Sequence, residues 1–506
     1  MKKALVLFIS LVVIFHAAHA QVDYKKLDAY YSKALKDWGI PGMSIAIVKD
    51  GKIVFSKGYG VKEIGKAEVP DENTLFAIAS NSKAFTSAAI AQLVEEGKLG
   101  WNDKVRKHLP YFELYDPWVS SETTIRDLLS HRVGLGTFSG DLIWYRSTLS
   151  AEEIVRHVKY LPKAYDFRSG FGYSNVMYIT AGEVMRKITG KYWGETIQER
   201  FFRPLGMTRS IATTKDLDKK GNYATPHAIF NNEHKPIAWE DWNTVAATGG
   251  IISSVKDMAQ WMMFNLNHGI WNGDTLLSKE SRNMLWTPHN NFTVDHTGKD
   301  KSVHLRSYAL GWSLNDYRGK LRVGHTGGYS GMLSAVALIP DENLGVVVLT
   351  NGMKSIFAPL VNYTIDVFLK APEKDWSAEA LANLNKNKDT RIEERKKARV
   401  LNTKPVLPLD QYAGNYKSDN YGKITVKKEG EKLKIFFEHT PDLTATLEHW
   451  HFDTWEMKWD NSDMLAWFSF GTIKFELDNN NKVTGLSFDI PNNDFFFEEL
   501  DVKRVE

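Results

Sequence analysis

The chain has 506 residues, 43% apolar and 25% charged, enough for two or more domains with a large core and typical of a soluble globular protein. A formal charge of +3 with no basic stripe argues against nucleic acid as a partner. With no cysteine, disulfides, thiol nucleophiles and thiolate metal sites are excluded.

The first twenty residues read as an export signal: Lys2 and Lys3, an apolar stretch from Ala4 to Phe15, then Ala18-His19-Ala20 as a small-residue cleavage site before Gln21. About a dozen apolar residues fall short of the roughly 20 that a spanning helix needs. The expectation is therefore cleavage, no stable membrane insertion, and a periplasmic or secreted protein of a bacterial envelope. Residues 43–61 then alternate apolar and polar around Asp50-Gly51, the signal of a hairpin with a type I′ turn. From Thr74 to about Ser281 the patterns are mainly helical, with long loops.

Within that stretch, Ser80-Asn81-Ser82-Lys83 precedes residues 84–96, a run rich in Ala, Leu and Glu that meets Gly97 as a C′ glycine. Residues i and i+3 share a helix face, so Lys83 can reach the Ser80 oxygen. A serine hydroxyl needs such a neighbour to become a nucleophile. The spacing alone is equally that of a solvated helix surface, but the apolar Phe76-Ala77-Ile78-Ala79 before it suggests a serine emerging from a buried approach. A helix start also offers free N–H groups to an oxyanion. Tyr173-Ser174-Asn175 follows in a glycine-flanked loop, which suits a site or an ordinary tyrosine packed over a turn.

Strands return between Lys320 and Asn351, giving an antiparallel sheet built from both ends of the domain around a helical insertion. His325-Thr326-Gly327-Gly328 lies on the first of them. Its small residues would let a ligand or another backbone lie along the strand, although His325 by itself reads as a polar strand-end residue. Residues 371–405 are charged and strand-poor, a helical linker with a frayed polar end. From Val406 onward, alternation of Phe, Trp, Ile and Val with polar residues predicts an all-β domain, a closed barrel or a sandwich.

Taken together, Ser80-x-x-Lys83, Tyr173-x-Asn175 and His325-Thr326-Gly327 resemble the serine β-lactamase and penicillin-binding-protein superfamily, in its class C and DD-peptidase branch. Residues 124–131, 204–208 and 248–254 agree, and read as helix caps and packing signatures. The resemblance implies an α+β fold over residues 21–370, an antiparallel sheet flanked by helices beside an all-helical region, with the site in the groove between. It implies that Ser80 forms an acyl-enzyme and that Lys83 and Tyr173 manage its proton, with the acylation base open between them. Tyr173 could act as a base only if the Lys83 charge stabilised a phenolate. Tyr173 is also the residue expected to activate the deacylating water, since no Glu is placed as in class A enzymes. Asn175 would donate to the substrate amide carbonyl and help fix Lys83. His325, Thr326 and Gly327 would bind the acyl chain as an added edge strand, and the backbone N–H groups of Ser80 and Gly328 would form the oxyanion hole.

His325 stands where most β-lactamases carry Lys, and a mostly neutral imidazole anchors a carboxylate less strongly. The implied activity is a D-amino-acid-type peptidase, carboxypeptidase or esterase ahead of a β-lactamase, with small peptides, esters or β-lactams as substrates and no cofactor. A sensor that acylates without turnover and a non-catalytic peptidoglycan-binding protein are the alternatives from other classes. In residues 406–506, Leu409-Asp410-Gln411-Tyr412-Ala413-Gly414-Asn415-Tyr416 and residues 447–454 resemble the lipocalin-like barrel appended to some such peptidases. There the barrel covers the groove or mediates homo-oligomers. His449, His451 and Asp453 invite a metal reading, but a solvated polar face with Trp450 and Phe452 packed beneath accounts for them better, and no metal is expected.

Overall fold

The computed structural model describes residues 22–295, 303–387 and 389–505; the expected export signal lies outside them. The first domain is organised on an eight-stranded antiparallel sheet. Its strands are β1 (Gly42–Lys49), β2 (Lys52–Gly60), β3 (Asn290–Phe292), β4 (Arg306–Tyr308), β5 (Ser313–Tyr317), β6 (Lys320–Tyr329), β7 (Met332–Ile339) and β8 (Leu344–Thr350), in the order β2-β1-β8-β7-β6-β5-β4-β3. The turn between β1 and β2 has the expected chemistry, with Asp50 and Gly51 both left-handed at φ 51° and 70°. β7 and β8 are almost wholly apolar because both sheet faces are covered. With a period of two, Val346, Val348, Ala335 and Ala337 pack into one core, while Val347, Leu349, Val336 and Leu338 enter the other.

The first core is closed by α1 (Tyr24–Trp38) on the outer face, and the second by α2 (Ser82–Glu95), α3 (Asn175–Thr189) and α4 (Val255–Leu266), which form the helical side. The outer layer continues with α5 (Phe357–Phe368) and α6 (Trp376–Lys386). Residues 371–405 do contain helices, but they are not a free tether. α6 is docked on the first domain: Trp38 Nε1 donates to Ser377 Oγ at 2.9 Å and Trp376 Nε1 to Asp366 at 2.8 Å. α7 (Arg391–Lys397) is docked on the second domain, where Arg395 grips the Asp489 carboxylate with both Nε and a terminal nitrogen.

The second domain is a closed eight-stranded antiparallel barrel: β9 (Gly414–Ser418), β10 (Gly422–Glu429), β11 (Lys432–Phe437), β12 (Thr444–His451), β13 (Thr454–Trp459), β14 (Thr472–Leu477), β15 (Val483–Asp489) and β16 (Val502–Val505). Closure removes the free edges that an open sheet would expose. The candidate metal residues serve the backbone here: His449 Nε2 meets the Phe452 carbonyl at 2.9 Å, His451 Nδ1 accepts from Val400 N–H, and Asp453 accepts from Val406 N–H and Tyr412. Trp450 is buried as expected, but Phe452 is not. It occupies the left-handed turn between β12 and β13 at φ 46° and is 51% exposed, because the strand has ended before it.

The barrel sits against the helical side of the first domain. Arg146 spans the junction, bonding Glu240 at 2.9 Å and Asp442 of the barrel at 2.8 Å, and Gly140 N–H donates to Glu499 at 2.9 Å. Phe495 of the barrel stacks near Tyr145 with ring centroids 4.4 Å apart. Among the described residues, no helix is long and apolar enough to cross a membrane.

Candidate active site

The nucleophile turn is held from below. Phe76–Ala77 pairs with Ile252–Ser253, and the chain then makes a 3-10 turn over Ala79–Asn81 before α2 begins at Ser82. The helix therefore starts two residues after Ser80. Ala79 is left-handed at φ 46°, a conformation that costs an L-residue energy and marks a constrained site. Ser334 Oγ on β7 donates to the Ile78 carbonyl at 2.7 Å and accepts from Asn81 Nδ2 at 2.8 Å, clamping the turn to the sheet. Residues 74–79 are buried and Ser80 is the first to reach the cavity. α2 shows little apolar periodicity because Ser82 through Ala91 are all buried; it is the central helix of its domain.

Lys83 is fully buried beneath Ser80. Its Nζ lies 3.0 Å from Ser80 Oγ, 2.7 Å from Asn175 Oδ1 and 2.8 Å from the Thr248 carbonyl. Asn175 is oriented by a third group: its Nδ2 donates to Asp141 at 2.6 Å, and its Oδ1 also accepts from Thr248 Oγ1 at 2.7 Å. Burial pushes the Lys83 amine well below its ordinary 10.5, against the pull of Asp141. Burial likewise raises the Asp141 carboxyl from 3.8 to about 8. Both shifts favour the neutral forms. A neutral amine has two N–H groups, and the two carbonyl-type acceptors, Asn175 Oδ1 and the Thr248 carbonyl, use both. The third position on the nitrogen points at Ser80 Oγ, where an ammonium donates and a neutral amine accepts.

Tyr173 comes from the loop before α3. That loop is shaped by Asp127, which caps the short helix Ile125–Leu129 with Thr124 and binds Arg168 through both carboxylate oxygens, and by His131, whose Nδ1 accepts from Ser174 N–H at 3.0 Å. The His131 and Tyr173 rings lie 4.4 Å apart, and Lys83 Nζ is 4.9 Å from the Tyr173 ring centre. Burial drives the Tyr173 phenol well above its ordinary 10.0, opposed by its contact with the Ser80 hydroxyl. The phenolate that a stabilising Lys83 charge would produce is thus not the resting state.

β6 forms the opposite wall. Its pairing with β5 stops at Ser313↔Gly324, whereas pairing with β7 runs on to Tyr329↔Met332. From His325 onward, one edge of the strand is left open. Gly327 presses behind the nucleophile: a Cβ there would stand 2.2 Å from the Ile78 carbonyl and 3.0 Å from Ser80 N. Gly328 is roomier, with Leu333 the nearest neighbour at 3.7 Å. His325 is buried and neutral, its imidazole lowered to about 3 by burial and by Lys83. Its Nδ1 meets the Thr326 carbonyl at 2.6 Å and its Nε2 the Tyr308 hydroxyl at 2.9 Å. A carbonyl can only accept, so Nδ1 carries the proton and Nε2 accepts from Tyr308.

The fold brings Ser80, Tyr173, Asn175, His325, Thr326 and Gly328 onto one cavity of about 890 Å³, with Lys83 below it and Gly327 behind. Sequence reasoning missed Asp141, Tyr308 and the Thr248 carbonyl. Asp141 and Tyr308 carry no motif spacing to Ser80, and residues 248–254 read only as packing.

A Ser–Lys pair beneath an open strand edge, with a tyrosine and an asparagine from a helical domain, is the site of the β-lactamase and penicillin-binding-protein superfamily, whose members are typically serine hydrolases. The family model described as Beta-lactamase matches residues 27–367, and the chain belongs to that family. A second model, described as a domain of unknown function (DUF3471), matches residues 398–504. The unguisins hydrolase ungD' of Aspergillus campestris is 30% identical over 453 residues, 83% of this chain and 81% of that protein. Protein flp of Staphylococcus aureus is 28% identical over 346 residues, 66% of this chain and 64% of its own length. In fold, the chain is similar to the octameric penicillin-binding protein homologue from Pyrococcus abyssi, with a TM-score of 0.62 at 22% identity over 93% of this chain and 98% of that one. The penicillin binding protein from Bacillus halodurans gives 0.53 at 22% identity, over 66% and 97%.

Proposed function

We propose that the protein is an exported serine hydrolase that works through an acyl-enzyme on Ser80, as a D-amino-acid-type peptidase, carboxypeptidase or esterase rather than an efficient β-lactamase. The observation that carries this reading is the Lys83 environment, a buried amine 3.0 Å from Ser80 Oγ and held in place by Asn175 Oδ1 and the Thr248 carbonyl. In acylation, Ser80 Oγ attacks the carbonyl and its proton passes to Lys83. The Tyr173 phenol gives its proton to the leaving amine or alkoxide as the acyl–heteroatom bond breaks. This leaves a Tyr173 phenolate beside a Lys83 ammonium, the pairing that makes such a phenolate affordable. In deacylation the phenolate takes a proton from water, the hydroxide attacks the acyl carbon, and Ser80 leaves with the Lys83 proton. Water is the net addition and both side chains are restored.

The N–H groups of Ser80 and Gly328 are the oxyanion donors in this scheme, each worth roughly 3 kcal/mol of transition-state stabilisation. Thr326 and the open edge of β6 hold the acyl chain. Neutral, doubly bonded His325 supports the ranking of substrates, since it presents no cation to a β-lactam carboxylate. A relative named as a hydrolase supports turnover rather than sensing. The test is a panel of p-nitrophenyl esters, D- and L-aminoacyl amides and nitrocefin on wild type and Ser80→Ala. Ester or amide turnover that vanishes in Ser80→Ala is expected, with slow nitrocefin hydrolysis. Product from Ser80→Ala, or a permanent adduct in wild type, overturns the reading.

Export to the periplasm or medium rests on residues 1–20 and is tested by N-terminal sequencing of the fractionated protein, with Gln21 as the expected first residue. Assembly into a homo-oligomer draws support from the octameric homologue and is tested by light scattering.

A further inference from the structure

The cavity wall farthest from the arginines is built by the barrel. Trp467, Asp494 and Phe495 of the second domain line the same cavity as Ser80. The segment is anchored at both ends. Trp467 Nε1 donates to Ser330 Oγ at 3.0 Å, just beyond the end of β6, and Asn492 Nδ2 donates to the Trp467 carbonyl at 2.6 Å while its Oδ1 accepts from the N–H groups of Asp494 and Phe495. Phe495 packs 5.3 Å from Trp467 and 6.3 Å from Trp144, and Trp144 lies 5.3 Å from Trp242. Asp494, the residue before Phe495, thus lines the cavity together with aromatic residues whose ring faces attract cations.

Among the described residues, no cation is a cause of the shift of its carboxyl. Desolvation is the sole cause that raises the Asp494 carboxyl above its ordinary value, and its charge adds to the upward push on Asp141. Arg146, the basic group of the junction, is committed to Glu240, Asp442 and Asp463. The arginines that line the cavity belong to its other end. Arg306 pairs with Asn315 and Asn315 with Arg322, eight residues before Ser330 along the strand, about 26 Å of extended chain. Asp141 bonds Asn175, so the acidic end lies on the Asn175 side of Ser80.

We propose that Asp494, delivered by the barrel, is a specificity residue that selects substrates carrying a primary ammonium on the acyl half, with Trp467 and Phe495 forming the aromatic side of that subsite. This rests on the hydrolase reading above. It makes the barrel part of the substrate site rather than a separate module.

The test compares three p-nitrophenyl esters of matched length, with 6-aminohexanoyl, hexanoyl and singly charged adipoyl groups. Wild type is expected to prefer the cationic over the neutral ester by about tenfold in kcat/KM, the scale of one cation–aromatic and carboxylate contact. In Asp494→Asn that ratio falls to near one, and in Asp494→Lys the order turns toward the adipoyl ester. Equal ratios in all three proteins, or a uniform loss with all three esters, overturn the proposal. Calorimetric titration of hexylammonium, with hexanol as the neutral control, into Ser80→Ala and Ser80→Ala/Asp494→Asn reads the subsite without turnover. Ammonium binding that depends on Asp494 supports it even if no ester is hydrolysed, in which case only the hydrolase reading falls. Equal or absent ammonium binding in the two proteins overturns it.

Discussion

Asp141→Asn tests whether the Ser80 site rests in its neutral form. Asp141 titrates near 3.8 when unfolded and at about 8 when folded. Its contribution to stability is therefore fully present below pH 3.8 and is lost as pH rises through about 8. Within that window the slope approaches ~1.4 kcal/mol per pH unit, so wild type should lose ~3 kcal/mol relative to Asp141→Asn between pH 5 and pH 7. The variant also has a pH-independent cost. Asp141 accepts from both Asn175 Nδ2 and Trp144 Nε1, and an amide can offer an acceptor to only one of them, leaving a buried donor that costs ~1–3 kcal/mol. Denaturant unfolding of both proteins at several pH values separates the sloping part from the constant part. A stability difference that does not change with pH would mean that Asp141 is ionised throughout and paired with a Lys83 ammonium. The neutral amine that accepts from Ser80 would then not exist, and the acylation scheme would fail.

Gly327→Ala puts a Cβ 2.2 Å from the Ile78 carbonyl, so β6 must retreat from the nucleophile turn; a loss of about 100-fold in kcat with a folded far-ultraviolet spectrum is expected. Tyr308→Phe removes the donor to His325 Nε2 and leaves that buried nitrogen unpaired, at a cost of ~1–3 kcal/mol measurable by denaturant unfolding. Arg146→Ala strands Glu240, whose side chain is 2% exposed, and removes a tie to Asp442; a loss of ~3–5 kcal/mol and faster proteolysis between the domains are expected.

Much of the fold was legible because its signals are local. Asp50-Gly51 specifies a turn by backbone chemistry, and the alternation after Val406 specifies strands. The reach from Ser80 to Lys83 is local too, since both lie on one helical turn. What escaped is long-range. Asp141 orients Asn175 across 34 residues of chain, and no periodicity connects the two. The Thr248 contact is made by a backbone carbonyl, which no side-chain identity can announce. His325 was legible as a departure from lysine, but its neutrality comes from burial, and its Nε2 is satisfied by Tyr308 from β4, two strands away in the sheet. The charged composition of residues 371–405 predicts exposure and helix, and is silent about Trp376 and Ser377, the contacts that dock α6.

The resemblance implied a barrel that covers the groove or mediates oligomers, but which of its residues reach the cavity was not legible, because they lie in loops whose composition reports only a turn. Asn492 converts Pro491-Asn492-Asn493-Asp494 into a fixed turn by accepting two backbone N–H groups, and its own amide ties that turn to Trp467. Since Trp467 is bonded to Ser330 at the end of β6, the strand that flanks Ser80 and the loop that carries Asp494 share one rigid connection. The first domain alone would leave this end of the cavity open to water and without a carboxylate, since the barrel supplies Asp494 together with Trp467 and Phe495. With the barrel in place that carboxylate lines a cavity shared with the two aromatic residues, where it is screened less than in open water. Separating the domains by Arg146→Ala should therefore erase the preference for the cationic ester as well as lowering stability. A variant that loosens the junction yet keeps the full preference would place the ammonium elsewhere in the cavity.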